Sequence, residues 1–142
     1  MEFSTSLITT NTNLAGVTLA SGAVICRGNE VLLSKDTKDD FWKFPGGRVD
    51  DNESFRQTAI REAKEESGLD IVIDDSVKPI VHAIHKETEG VVKYYILIHY
   101  SCTKFIGELQ PQDDSILEVK FFNLNELPDD LAPNVLPVIN ML

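Results

Sequence analysis

Between Gly46 and Leu69 the chain reads GGRVDDNESFRQTAIREAKEESGL, and its glutamates have the type and spacing to hold a hard cation. On a helix turning about 100° per residue, Glu62 and Glu66 project within roughly 60° of arc together with Phe55 and Ala59, and Glu65 lies about 60° further round. The acids therefore sit beside the inward stripe, while Gln57 and Lys64 fall on the opposite arc. Carboxylates crowded at i, i+3 and i+4 repel one another and destabilise a helix by a few tenths of a kcal/mol per pair. A divalent cation reverses that sign; the competing reading is a solvated charged face. Hard oxygen ligands suit Mg²⁺ or Mn²⁺, which retain waters and bridge to phosphate oxygens. Upstream, Gly46 and Gly47 let the backbone approach the helix closely and offer a main-chain carbonyl as a further ligand. Arg61, next to Glu62, could orient a carboxylate through a bidentate contact.

The elements that must position these groups follow from periodicity. From Ser54 to Ser67 apolar residues recur at helical spacing, with no Gly or Pro inside and Gly68 just beyond, which predicts a helix. A β-like run over Thr18–Cys26, a Gly-Asn turn signal within Arg27–Glu30, and a second run over Val31–Ser34 predict a hairpin. Polar residues 35–40 read as a loop, and Phe41–Pro45 leads into the glycine pair. β-branched segments at Leu69–Ile73, Ile80–Ile84, Val91–Cys102 and Leu117–Phe122 read as strands. The tail from Pro133 to Leu142 reads as a short helix that Pro137 limits or kinks. Strands interrupted by one long helix and closed by another imply an α/β (α+β) sandwich around a mixed sheet, here as one unit of 142 residues with a loose N-terminal dozen.

Composition narrows the partners. Thirteen Lys and Arg against 23 Asp and Glu give a net charge of -10, a field that repels nucleic-acid backbones and anionic lipid. A small polyanionic substrate then needs local neutralisation, which a bound divalent cation provides. The uncharged stretch from Phe3 to Cys26 is rich in Ser, Thr and Asn and lacks a basic leader, so no signal peptide or membrane span is expected. Cys26 and Cys102 stand far apart without a CxxC pattern, as two reduced thiols in a cytoplasmic protein would. His82 and His85, three apart on a strand, face opposite sides, and with His99 in an apolar run they read as satisfied or partly exposed side chains.

Gly47, five residues, Glu53, seven residues, then Arg61-Glu62-Ala63-Lys64-Glu65-Glu66-Ser67-Gly68-Leu69 resembles the Nudix box at every fixed position. The preceding Trp42-Lys43-Phe44-Pro45-Gly46-Gly47 is similar to that family's common lead-in. The resemblance implies a Nudix-type α/β/α sandwich in which the box forms loop, helix and loop. It also implies hydrolysis of a diphosphate linkage in a nucleoside diphosphate derivative, by water attack at phosphorus with Mg²⁺ or Mn²⁺. Carried over by position, Glu62, Glu65, Glu66 and the Gly46 carbonyl are the metal ligands, and Glu53 and Arg61 support them. The general base varies in the family: Glu66 is the first choice here, with Asp113, Asp114 and Glu118, in the loop before Val119-Lys120-Phe121-Phe122, as alternatives.

For the substrate, Asn134 in the closing segment is a candidate base contact as well as a helix N-cap, Phe41 a candidate stacking residue, and Glu118 a further substrate-side candidate. Members acting on ADP-ribose or dinucleoside polyphosphates often carry a proline or tyrosine where this chain has Ile84, His85, Lys86 and Glu87. Their absence favours a nucleoside triphosphate or a nucleotide sugar. The alternatives are an ADP-ribose or dinucleoside polyphosphate hydrolase, a non-catalytic nucleotide sensor, and an isoprenoid diphosphate isomerase on the same fold. The expected partner is a small nucleotide, with a homodimer left open.

Overall fold

The computed structural model describes residues 13–142, so the expected loose N-terminal dozen lies outside the described residues. β1 (Asn13–Arg27) and β2 (Glu30–Asp36) form the expected hairpin, closed at Arg27↔Glu30. β1 begins earlier than its apolar run predicts because it pairs in parallel with β6 (Val91–Cys102) from Asn13↔Val91 to Ile25↔Cys102, with a register shift between Leu14 and Gly16. β5 (Ile80–Thr88) adds antiparallel to β6, and β8 (Ile116–Asn123) antiparallel to β2. The sheet order β5-β6-β1-β2-β8 is therefore mixed, as expected. β4 (Asp70–Val72) and β7 (Lys104–Ile106) make a separate two-stranded ladder.

β3 (Gly46–Arg48) is a strand that its composition does not announce. It pairs antiparallel with the middle of β1 at Ser21↔Gly47, so the glycine pair is held by a ladder instead of a free loop. Two boundaries also move. Lys35 and Asp36, expected in a loop, extend β2 opposite Glu118 and Ile116, and β5 runs past the expected Ile84 to Thr88 along β6, while Glu118 lies within β8, as the Leu117–Phe122 run predicts and its assignment to the loop before Val119 does not. In both cases cross-strand pairing outweighs the polar character of the residues.

Helix α1 (Phe55–Ser67) has the predicted ends. The Ser54 hydroxyl accepts the Gln57 N–H at 3.0 Å while the Gln57 side chain accepts the Ser54 N–H at 2.8 Å, a reciprocal cap. Gly68 closes the helix at φ 84°, a conformation costly for any residue with a Cβ. Helix α2 is confined to Val135–Ile139, with Pro137 in its first turn, where a missing N–H leaves no carbonyl unpaired.

The period-two alternation of β1 and β2 supplies both faces of the sheet. Ala23, Ile25 and Leu32 pack under α1 with Ala63, Leu69 and Cys102, while Val24, Val31 and Leu33 pack with Trp42, Phe44, Val135 and Val138 beneath α2. Helices thus cover opposite faces, the α/β/α layering that the resemblance implied. Cys26 and Cys102 are free thiols. Among the described residues no helix is long and apolar enough to cross a membrane.

Candidate active site

The ladder between β1 and β3 sets the glycine pair against the acidic face of α1. Glu66 is 6% exposed, and its Oε2 accepts the Gly46 N–H at 2.7 Å. Burial pushes its carboxyl up to about 8, with the Gly46 donor opposing, the Glu62 charge adding and the Lys43 charge opposing. One turn earlier the Glu62 carboxylate lies directly over Gly47, where any Cβ would collide with it. Burial raises the Glu62 carboxyl as well, against the pull of Arg61.

Arg61 ties the remaining acids together. Its Nε and Nη2 donate to the two oxygens of Glu53 at 2.8 and 3.0 Å, and its Nη1 donates to Glu62 at 2.9 Å and Glu65 at 3.2 Å. Arg61 and then the Thr58 hydroxyl hold the Glu53 carboxyl down at about 2. A lysine would offer a point charge to one of these partners at a time, whereas the planar fork serves all three.

Among the described residues no three acidic, histidine or cysteine side chains converge as a ready-made cage for a metal. Glu66 is turned to the Gly46 N–H, and Glu62 and Glu65 are turned to Arg61. The donor set nevertheless fits a hard divalent cation. It is all oxygen, and its most buried member, Glu66, has one backbone donor and, among the described residues, no contacting cation. The space over Gly47 that a Cβ would fill belongs to a carboxylate.

The glycine pair also borders a cavity of about 340 Å³ whose walls include Phe41, Lys43, Gly46, Tyr95, His99 and Asn134. Two predicted substrate residues, Phe41 and Asn134, therefore meet at one site next to the carboxylates. Lys43 was not singled out by its spacing. Its ammonium lies 2.5 Å from Asp36 and 3.1 Å from Asp39, and these hydrogen bonds hold its charge in place against the opposing cost of burial. His99 was expected to be a satisfied histidine and is one, buried and hydrogen-bonded at both ring nitrogens. Neither signal is local: Lys43 finds its partner across a loop, and His99 meets Asn134 across 35 residues.

Other expectations land elsewhere. Asn134 occupies the N-cap position of α2, but its Oδ1 makes no side-chain capping bond, while its amide nitrogen meets His99 Nε2. Glu118 is exposed on β8, 3.5 Å from the Lys120 ammonium, and is not part of the cavity wall. The loop carrying Asp113 is tied to α1, since the Gln112 and Asp113 N–H groups both donate to the Glu65 carbonyl, at 2.8 and 3.0 Å.

Comparison with known proteins agrees with this geometry. The family model described as NUDIX domain matches residues 17–142. An ADP-ribose pyrophosphatase of Methanocaldococcus jannaschii is 31% identical over 113 residues, covering 78% of this chain and 64% of that protein. An 8-oxo-dGTP diphosphatase of Proteus vulgaris is 32% identical over 68 residues, 45% of this chain and 61% of that protein. The chain thus spans less than two thirds of the length of these curated relatives. Among solved structures, the crystal structure of a MutT NUDIX hydrolase from Burkholderia pseudomallei superposes with a TM-score of 0.72 at 22% identity, covering 89% of this chain and 98% of that one.

Proposed function

Because the chain belongs to the NUDIX domain family, we propose that it is a divalent-cation-dependent hydrolase acting as one unit on the diphosphate linkage of a nucleoside triphosphate or nucleotide sugar. The observation that carries the reading is Glu66, a buried carboxylate hydrogen-bonded to Gly46, whose backbone also lines a nucleoside-sized cavity. A substrate with its base in that cavity has its phosphates directed along the glycine pair toward the acids.

Glu62, Glu65, Glu66 and the Gly46 carbonyl would hold Mg²⁺ or Mn²⁺, which when bound neutralises diphosphate charge and polarises its P–O bonds. Arg61 keeps Glu62 and Glu65 in place and spreads their charge. Lys43, at the cavity wall, is ion-paired with Asp36 and Asp39, so neutralising an anionic substrate falls to the cation. As the water oxygen bonds to phosphorus and the bridging P–O bond breaks, the Glu66 carboxylate, where the cation does not saturate it, takes the water proton. The Asn134 amide contacts the base and Phe41 packs beside it.

A second reading, ADP-ribose hydrolysis, is favoured by the 31% identity to the archaeal ADP-ribose pyrophosphatase. A panel of nucleoside triphosphates, nucleotide sugars, ADP-ribose and dinucleoside polyphosphates, assayed with Mg²⁺ for release of nucleoside monophosphate, separates the two. Turnover of triphosphates above ADP-ribose supports the first reading, the reverse order supports the second, and no turnover of any of them leaves a binding protein.

A further inference from the structure

The carbonyl oxygen of Ile80 lies 3.1 Å from His99 Nδ1, and a carbonyl can only accept. The proton of the neutral ring is therefore on Nδ1, and Nε2 is left as an acceptor. The Asn134 amide approaches that Nε2 at 2.9 Å, so the atom facing it must be the amide nitrogen. Among the described residues the Asn134 Oδ1 accepts no hydrogen bond. Both residues line the cavity.

We infer that His99 is a positioning residue that fixes which way the Asn134 amide points, so that the cavity presents a carbonyl acceptor with the second amide N–H beside it. This rests on the proposed contact between Asn134 and the base. The pattern suits a nucleobase edge in which an N–H donor adjoins an acceptor, the pairing that an amide makes bidentately, and it disfavours an edge of two acceptors. A free Asn could flip and serve either order; the histidine removes that freedom before the substrate arrives. Two further features keep the ring in this state. Phe44 packs edge-on against it, with centroids 5.6 Å apart at 74°. Burial lowers its proton affinity, with the Ile80 carbonyl opposing and the His82 charge adding to the effect, so the neutral ring prevails.

The ring state can be read in the wild-type protein by ¹⁵N NMR. The expected result is a neutral Nδ1–H tautomer, with the Asn134 amide protons coupled to Nε2. An Nε2–H tautomer, or a freely rotating Asn134 amide, overturns the inference whatever the enzyme hydrolyses. Kinetics on the four deoxynucleoside triphosphates then test its consequence. His99→Phe keeps the ring packing but removes both hydrogen bonds. It should raise KM for the preferred base about tenfold, the worth of one well-placed hydrogen bond, with kcat nearly unchanged. His99→Gln can donate to Ile80 and accept from Asn134, and should recover most of the loss. In an Asn134→Ala background His99→Phe should add nothing further. An equal penalty in that background, or a fall in kcat at constant KM, contradicts a role exerted through Asn134. If Asn134→Ala itself leaves base preference intact, the proposed base contact fails, and the NMR result still reports separately on the positioning.

Discussion

Arg61 meets Glu53 through two parallel hydrogen bonds, Nε to Oε2 at 2.8 Å and Nη2 to Oε1 at 3.0 Å, and this fork anchors the guanidinium while its remaining nitrogen serves Glu62 and Glu65. Glu53 lies in the loop before α1 and Arg61 two turns into it, so the pair locks the entry of the helix to the acids that it carries.

The pair makes stability depend on acid. The Glu53 carboxyl is lowered from 4.5 to about 2, so its stabilisation is complete above 4.5 and is lost as the pH falls toward 2. Glu53→Gln should be less stable than wild type at pH 6, and the two urea midpoints should converge as the pH is lowered from 4.5 toward 2. A constant difference across that window would show that the lowered carboxyl is not the source.

Gly47→Ala places a methyl group where the Glu62 carboxylate lies. The carboxylate is the end of a flexible side chain and can swing away, so the fold should survive while the ligand position does not. The Mg²⁺ concentration for half-maximal activity should rise about tenfold to a hundredfold, the usual cost of disturbing the support of a ligand. An unchanged Mg²⁺ requirement would remove Glu62 from the metal site.

Binding of Mg²⁺ to the folded state alone must raise stability with the logarithm of its concentration, by about 2.7 kcal/mol at a hundredfold excess over Kd. Tm should climb with millimolar Mg²⁺ and not with Na⁺ at matched ionic strength, and the climb should largely vanish in a Glu62→Gln, Glu66→Gln double variant. Equal shifts with both ions would mean screening of a solvated face and no specific site.

The parts of this architecture that are local were legible in the residues. Ser54 and Gly68 mark both ends of α1, and the spacing of Glu62, Glu65 and Glu66 places them beside its buried stripe. The β-branched and aromatic residues of VVKYYILIHYSC mark β6 with the bounds it has in the fold, Val91–Cys102. What was not legible depends on partners distant in sequence. β3 exists because β1 offers a ladder to Gly46 and Gly47, not because glycines favour strands. Asn134 is shaped by turn chemistry to cap α2, yet His99 claims its amide. Lys35 and Asp36 read as loop residues until their pairing with Glu118 and Ile116 across β2 and β8 makes them part of the strand.

The central claim is that Glu66 is the working carboxylate of a cation-dependent hydrolase, and the steady-state kcat of Glu66→Gln on the best substrate, in saturating Mg²⁺, tests it most directly. Glutamine keeps the shape and can accept the Gly46 N–H but cannot take a proton or supply a full ligand charge. With the fold verified by circular dichroism, kcat should fall at least ~10²-fold, the range of general-base loss, while Lys64→Ala, whose ammonium pairs with Asp70 at 3.0 Å on the outer face of α1, should stay near wild type. A folded Glu66→Gln protein that turns over at the wild-type rate would contradict the account.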